Sequence, residues 1–133
     1  MPWIHRYLPA AMMVVSIQAS AVNLAAWLEV RGGSWTPDAA MLSQLDDLLK
    51  PAVQTAAKNR GRMPPWSQYH FQYQGRTSLL GHKYVYVNAF CEDSVNDVSG
   101  DWVTVLDGGA CYFSAKFDPE AKRVYEVAVN GVA

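Results

Sequence analysis

The chain has 133 residues, half of them apolar, with 11 Lys and Arg against 12 Asp and Glu and a formal net charge of −1. That balance excludes an electrostatic case for nucleic acid, or for an anionic membrane, as the partner of the chain as a whole. The length and apolar share fit one domain with a sizeable core.

The N-terminus reads as a secretory signal peptide over residues 1–21. His5 and Arg6 form a short basic region, Leu8 to Ile17 is an apolar run too short to span a bilayer, and Ala19-Ser20-Ala21 offers an A-x-A cleavage pattern. Cleavage there leaves residues 22–133 as a single domain and assigns the protein to the periplasm or the exterior of a bacterial cell, with no membrane span in the mature chain. The competing reading is a buried N-terminal helix.

Asn23 to Val30 is short and apolar, and its periodicity fits an edge strand or one helical turn equally. Thr36-Pro37 then reads as a helix start, with Thr36 as N-cap, Pro37 at the first helical position and Asp38 complementing the helix dipole. Met41, Leu45, Leu48, Leu49, Ala52, Val53 and Ala56 fall on one stripe, predicting an amphipathic helix that buries one face. Pro51 lies inside it and predicts a kink or a break, with the helix ending near Asn59. Lys58 to Arg62 is basic, with Gly61 among the cations. It fits a solvated helix end or, less simply, an anion site. Pro64-Pro65 enforces an extended break.

The remainder reads as strands. Tyr69, Phe71 and Tyr73 alternate with Gln68, His70, Gln72 and Gln74, predicting a half-buried strand with one wet face, followed by a loop over Gly75 to Gly81. Tyr84–Cys91 is apolar on both faces and should be the central strand. After a polar loop over 92–100 come strands at Trp102–Leu106, Ala110–Phe117 and Arg123–Val129, the last with Tyr125, Val127 and Val129 inward. Asp107-Gly108-Gly109 and Asp118-Pro119-Glu120 are the intervening turns. The fold class is therefore α+β: one helix on an antiparallel sheet of about five strands, in cystatin-like order.

Cys91 and Cys111 are the cysteines, and in an exported chain they favour a disulfide worth about 3 kcal/mol in the chain-entropy model. A plain meander opposes it. It would hold the two positions a strand's length apart, about 17–20 Å, against a bridging limit of about 7 Å. Either the 92–100 loop carries the chain back, or both thiols stay free.

Catalytic machinery is not recognisable. His70 and His82 are the only histidines after residue 21, and each reads as a surface residue. Neither cysteine has a nucleophile context, zinc-ligand spacing is absent, and no phosphate-binding glycine motif occurs. Glu92, Asp93, Asn96, Asp97 and Asp101 lack a calcium-loop register and read as a solvated loop. Asp107-Gly108-Gly109 is explained by turn chemistry, with a backbone anion nest as the alternative. Tyr and Trp are numerous, mostly as core, with some available for a contact surface.

Tyr84-Val-Tyr-Val-Asn-Ala-Phe-Cys91, then Val103-Thr-Val-Leu-Asp-Gly-Gly-Ala-Cys-Tyr-Phe113, Phe117-Asp-Pro119 and Asn130-Gly131-Val132-Ala133 resemble the C-terminal block of a family of small exported bacterial proteins of unknown function. The resemblance covers roughly residues 69–133. It implies export and domain extent and carries over no activity. The expectation is an exported, non-enzymatic binding or inhibitor-type module without a cofactor, its partner a protein or a cell-envelope component. The alternatives are a small envelope enzyme using Asp107 or a histidine in a sheet–helix cleft, and a purely structural envelope protein.

Overall fold

The computed structural model describes residues 24–91 and 101–131. The signal peptide expected at 1–21, most of the acidic loop (Glu92, Asp93, Asn96, Asp97) and the last two residues lie outside them. One helix, α1 (Ala39–Ala56), packs on a five-stranded sheet of β1 (Trp27–Glu29), β2 (His70–Thr77), β3 (Lys83–Phe90), β4 (Tyr112–Asp118) and β5 (Arg123–Val129), ordered as numbered.

The α+β class is as the sequence predicts, but the sheet is mixed. β1 runs parallel to β2, and the other pairs are antiparallel. The cause is the connection: α1 carries the chain back before β2 begins, so β2 sets out in the direction of β1, as any crossover through a helix requires. The ambiguous stretch before Val30 holds both candidates, a 3₁₀ turn at Leu24–Ala26 and then the edge strand β1.

α1 begins two residues later than Thr36-Pro37 suggests. Asp38 is the N-cap, its Oδ1 accepting from the Met41 amide at 2.8 Å. The helix runs through Pro51 as one element, and the Pro51 carbonyl accepts from Thr55 Oγ1 at 3.0 Å. The buried stripe is Leu42, Leu45, Leu49 and Val53, so Leu42 replaces Leu48, which is 36% exposed. These side chains meet Phe71, Tyr73, Val85, Val87, Ala89, Phe113, Ala115 and Phe117 from the sheet, and Trp27 closes the edge by stacking on Phe71 at 4.4 Å. Each fully buried large apolar side chain contributes about 1.5–3 kcal/mol.

β2 extends past Gln74 instead of yielding to a loop at Gly75. The Trp35 backbone bridges Gly75, and an added Cβ would stand 2.1 Å from the Trp35 carbonyl oxygen, so no other residue fits there. In β5 the register shifts opposite Ser114 and Lys116, with Glu126 at φ 47°. This bulge changes the phase of the strand. Val124, Val127 and Val129 pack on the core, while Tyr125 pairs in register with Lys116 on the opposite face, correcting the inward assignment of Tyr125.

The largest departure concerns 101–107. Trp102–Leu106 is not a strand of the sheet; β3 pairs directly with β4. The segment lies across the outer sheet face, held there by side-chain amides. Gln72 donates from Nε2 to the Asp101 carbonyl (2.7 Å) and accepts at Oε1 from the Val103 amide (2.9 Å) and from Asn88 Nδ2 (3.1 Å). Asn88 Nδ2 also reaches the Val103 carbonyl (2.7 Å), and Asn130 Nδ2 donates to the carbonyls of Val105 (2.6 Å) and Asp107 (3.0 Å). The expected wet face of β2 is therefore covered. Gln72 has no exposure, and Gln74 is buried, donating to the Arg31 carbonyl at 2.7 Å. Asp107-Gly108-Gly109 consequently joins no hairpin. Gly108 leads into a 3₁₀ turn at Gly109–Cys111.

The same rearrangement removes the objection to the disulfide. With no strand intervening, Cys91 and Cys111 flank the Phe90–Tyr112 pair, and they are bridged with Cα atoms 5.0 Å apart.

Candidate binding groove

At the end of the sheet where α1 terminates, a groove of about 1150 Å³ opens. One wall is made by Lys50 and Gln54 of α1 and by the descending segment Arg60 to Trp66; the other is the disulfide together with Asp107 to Ala110. The helix ends at its cap Ala57, Pro64-Pro65 extends the chain, and a 3₁₀ turn at Trp66–Gln68 feeds it into β2.

Trp66 anchors the apolar side of the groove. Its indole Nε1 donates to Asp46 Oδ1 at 3.2 Å, and its ring stacks on Phe113 at 5.9 Å and tilts against Tyr69 and Phe71. The Asp46 carboxyl is raised from its ordinary pKa, chiefly because burial penalises its charge, partly offset by the Trp66 hydrogen bond. Beneath the opposite wall Tyr69 hydroxyl donates to the Ala110 carbonyl, and burial pushes its pKa up to about 12. That bond ties β2's entry to the 3₁₀ turn before β4.

The facing wall is knitted to the end of β5. The Gly109 amide donates to the Gly131 carbonyl (3.1 Å) and the Asn130 amide to the Tyr112 carbonyl (2.9 Å). Gly108 sits at φ +92°, where an added Cβ would meet the Tyr112 ring at 2.4 Å. A glycine is required there by both conformation and space. The Gly109 amide thus serves the wall of the groove rather than facing a bound anion. The Arg60 guanidinium comes close to Gly131, its Nη1 being 3.6 Å from where a Cβ on that glycine would stand.

Among the described residues three cations, Lys50, Arg60 and Arg62, line the groove against one carboxylate, Asp107. The basic cluster, the Asp107-Gly108-Gly109 turn and the cysteine pair, each separate in the sequence, are walls of one cavity. Trp66, Met63 and Pro64 carry no site signal in the sequence beyond the extended break that follows a basic cluster. Neither histidine joins them. His70 stacks on Phe90 (5.5 Å) on β2 and β3, and His82 lies in the β2–β3 turn at the other end of the sheet. A catalytic use of the groove would have Asp107 without a histidine partner. Among the described residues no group of three His, Cys, Asp or Glu side chains is placed to hold a metal ion, and no helix is long and apolar enough to cross a membrane.

Comparison with protein-family models, curated proteins and solved structures finds no match.

Proposed function

We propose that the chain is an exported, non-enzymatic binding module, periplasmic or secreted, whose groove receives an acidic, extended segment of a partner protein. The carrying observation is the union in one cavity of Lys50, Arg60 and Arg62 with the anchored Trp66 and the proline pair. Tryptophan and arginine are enriched among the residues that carry most of an interface's binding energy. A fixed aromatic surface costs little side-chain entropy on binding, and guanidinium groups take carboxylates through paired hydrogen bonds. Leu106, the residue before Asp107, is 94% exposed and offers a further apolar side chain. Export is supported by the signal-like N-terminus, the resemblance of the C-terminal block to small exported proteins, and the disulfide, which persists in oxidising compartments.

The test is fluorescence anisotropy with a labelled short peptide of alternating Glu and Tyr, against its Lys/Tyr counterpart. The acidic peptide should bind more tightly, with affinity falling as salt rises, and Arg60→Glu/Arg62→Glu should remove the preference. Equal affinity for the two peptides would refute the acidic-segment reading.

A further inference from the structure

The β2–β3 hairpin ends in Ser78-Leu79-Leu80-Gly81-His82, and both leucines stand in solvent, at 107% and 87% exposure. The turn does not need them. It is closed by the Ser78 amide to the His82 carbonyl (2.8 Å), the Gly81 amide to the Ser78 carbonyl (2.9 Å) and the His82 amide to Ser78 Oγ (3.1 Å). Ser78 and Gly81 supply that chemistry, and the two positions between them face water, where polar residues are the ordinary choice. Two adjacent leucines at a rigid, convex point are an apolar feature without a use inside the fold.

The surroundings are cationic. From Arg76 to Lys83 the hairpin carries the cations Arg76 and Lys83 and no carboxylate. Arg76 is held over the rings of Tyr86 (4.2 Å) and Trp102 (5.3 Å), and Lys83 lies over Trp35 (5.7 Å), whose indole donates to the Arg76 carbonyl (2.8 Å). Carboxylates at this end of the molecule belong to other elements: Asp38 at the start of α1, and Asp118 and Glu120 in the β4–β5 turn. The register sets that turn back. Thr77 pairs with Lys83 at the outer end of β2 and β3, whereas Asp118 pairs with Arg123 at the level of Arg76 and Tyr84, one residue or about 3 Å further in. The leucine tip, carried on the longer ladder, therefore meets a surface before Asp118 does.

We propose that this hairpin tip is a membrane-contact point, with Leu79 and Leu80 entering the headgroup–acyl boundary of a bilayer bearing anionic lipids and Lys83, at the outer end of the ladder, resting among the headgroups. The occupant is argued from charge and shape. A cation beside an apolar point, on a hairpin without carboxylates, complements an anionic bilayer. A protein interface of ordinary size needs about 800 Å² from each partner, which a convex tip of two side chains does not offer, while a bilayer imposes no shape to match. A second copy is disfavoured as occupant of the tip, because the groove at the opposite end is itself lined by cations. The near-neutral charge of the whole chain does not oppose this, since the charge that matters is local. The proposal is independent of the acidic-segment reading of the groove.

Flotation with unilamellar vesicles of equimolar phosphatidylglycerol and phosphatidylcholine tests it, over a lipid titration, comparing the full chain with its Leu79→Ser/Leu80→Ser variant. Both carry the same N-terminus, so any binding by the apolar run at 8–17 is common to the two. The wild type should reach half-binding at about tenfold lower lipid or less than the variant, and Lys83→Gln should weaken binding to these vesicles while leaving binding to pure phosphatidylcholine unchanged. Unfolding midpoints in urea check that the exposed tip substitutions leave the fold intact. Coincident lipid titrations for wild type and double variant, or no flotation of the wild type, would overturn the proposal, the latter being the outcome if the tip serves a protein pocket instead.

Discussion

Gln72 is the residue whose removal tests the architecture most directly. It has no exposure, and its side-chain amide binds the Asp101 carbonyl, the Val103 amide and Asn88 Nδ2. Gln72→Met keeps the length and volume of the side chain and removes all three bonds. At about 0.5–1.5 kcal/mol net for each bond, the loss is about 1.5–4.5 kcal/mol. The lower half of that range is expected, because Asp101 is exposed and Val103 half-buried, so both freed backbone groups can turn to water. With a urea slope of about 2 kcal/mol/M, the unfolding midpoint should fall by about 1 M. Hydrogen exchange should localise the damage. The Val103 amide should lose protection, while amides of β3 and β4 change only as far as global stability does. An unchanged midpoint together with native protection at Val103 would refute the claim that side-chain amides hold the 101–107 segment on the sheet. Since that segment leads into Asp107 to Ala110, the same variant should also weaken any ligand of the groove.

Other consequences are equally concrete. The pKa of Tyr69 is raised to about 12 from 10.0, so between those pH values the unfolded chain releases a proton that the folded chain keeps. Stability should therefore fall as pH rises above 10, with Tyr73 contributing in the same direction. Tyr69→Phe should flatten part of that decline in urea titrations while costing about 1–3 kcal/mol at neutral pH through the stranded Ala110 carbonyl. Cys91→Ser/Cys111→Ser should lower stability by about 3 kcal/mol for a bridge spanning 20 residues, measured by denaturant melts with and without reductant. Gly108→Ala should cost at least about 1–2 kcal/mol for the left-handed backbone alone, before the contact with Tyr112 is relieved, and thermal unfolding reads this out. Asp46→Asn should leave stability at neutral pH equal or higher. Its carboxyl is raised by burial, so the wild type gains stability as pH falls toward that pKa, and the variant, whose amide oxygen still accepts from Trp66, should lack the gain.

Residue patterns carried some of this architecture and hid the rest for identifiable reasons. Tyr69, Phe71 and Tyr73 face the core because alternation is a backbone property, and β3 is central because a strand apolar on both faces has no other place. Gln72 and Gln74 defeated the same logic. A side-chain amide that serves a crossing backbone segment is, as a letter, identical to one that serves water, and the crossing segment lies about thirty positions away, well beyond any local period. Trp102–Leu106 has the pattern of a strand without being one for the matching reason, its backbone groups being satisfied by Gln72, Asn88 and Asn130 in place of a ladder. Tyr125 fell on the wrong face because one bulged residue, Glu126, reverses the phase of everything before it. The groove is the instructive case. Its chemistry was visible as a basic cluster, a glycine turn and two cysteines, but their union depends on β3 pairing directly with β4. Once Trp102–Leu106 is removed from the sheet, Cys91 and Cys111 become neighbours and Asp107 to Ala110 is drawn against the end of α1, so the disulfide and the groove follow from the same pairing.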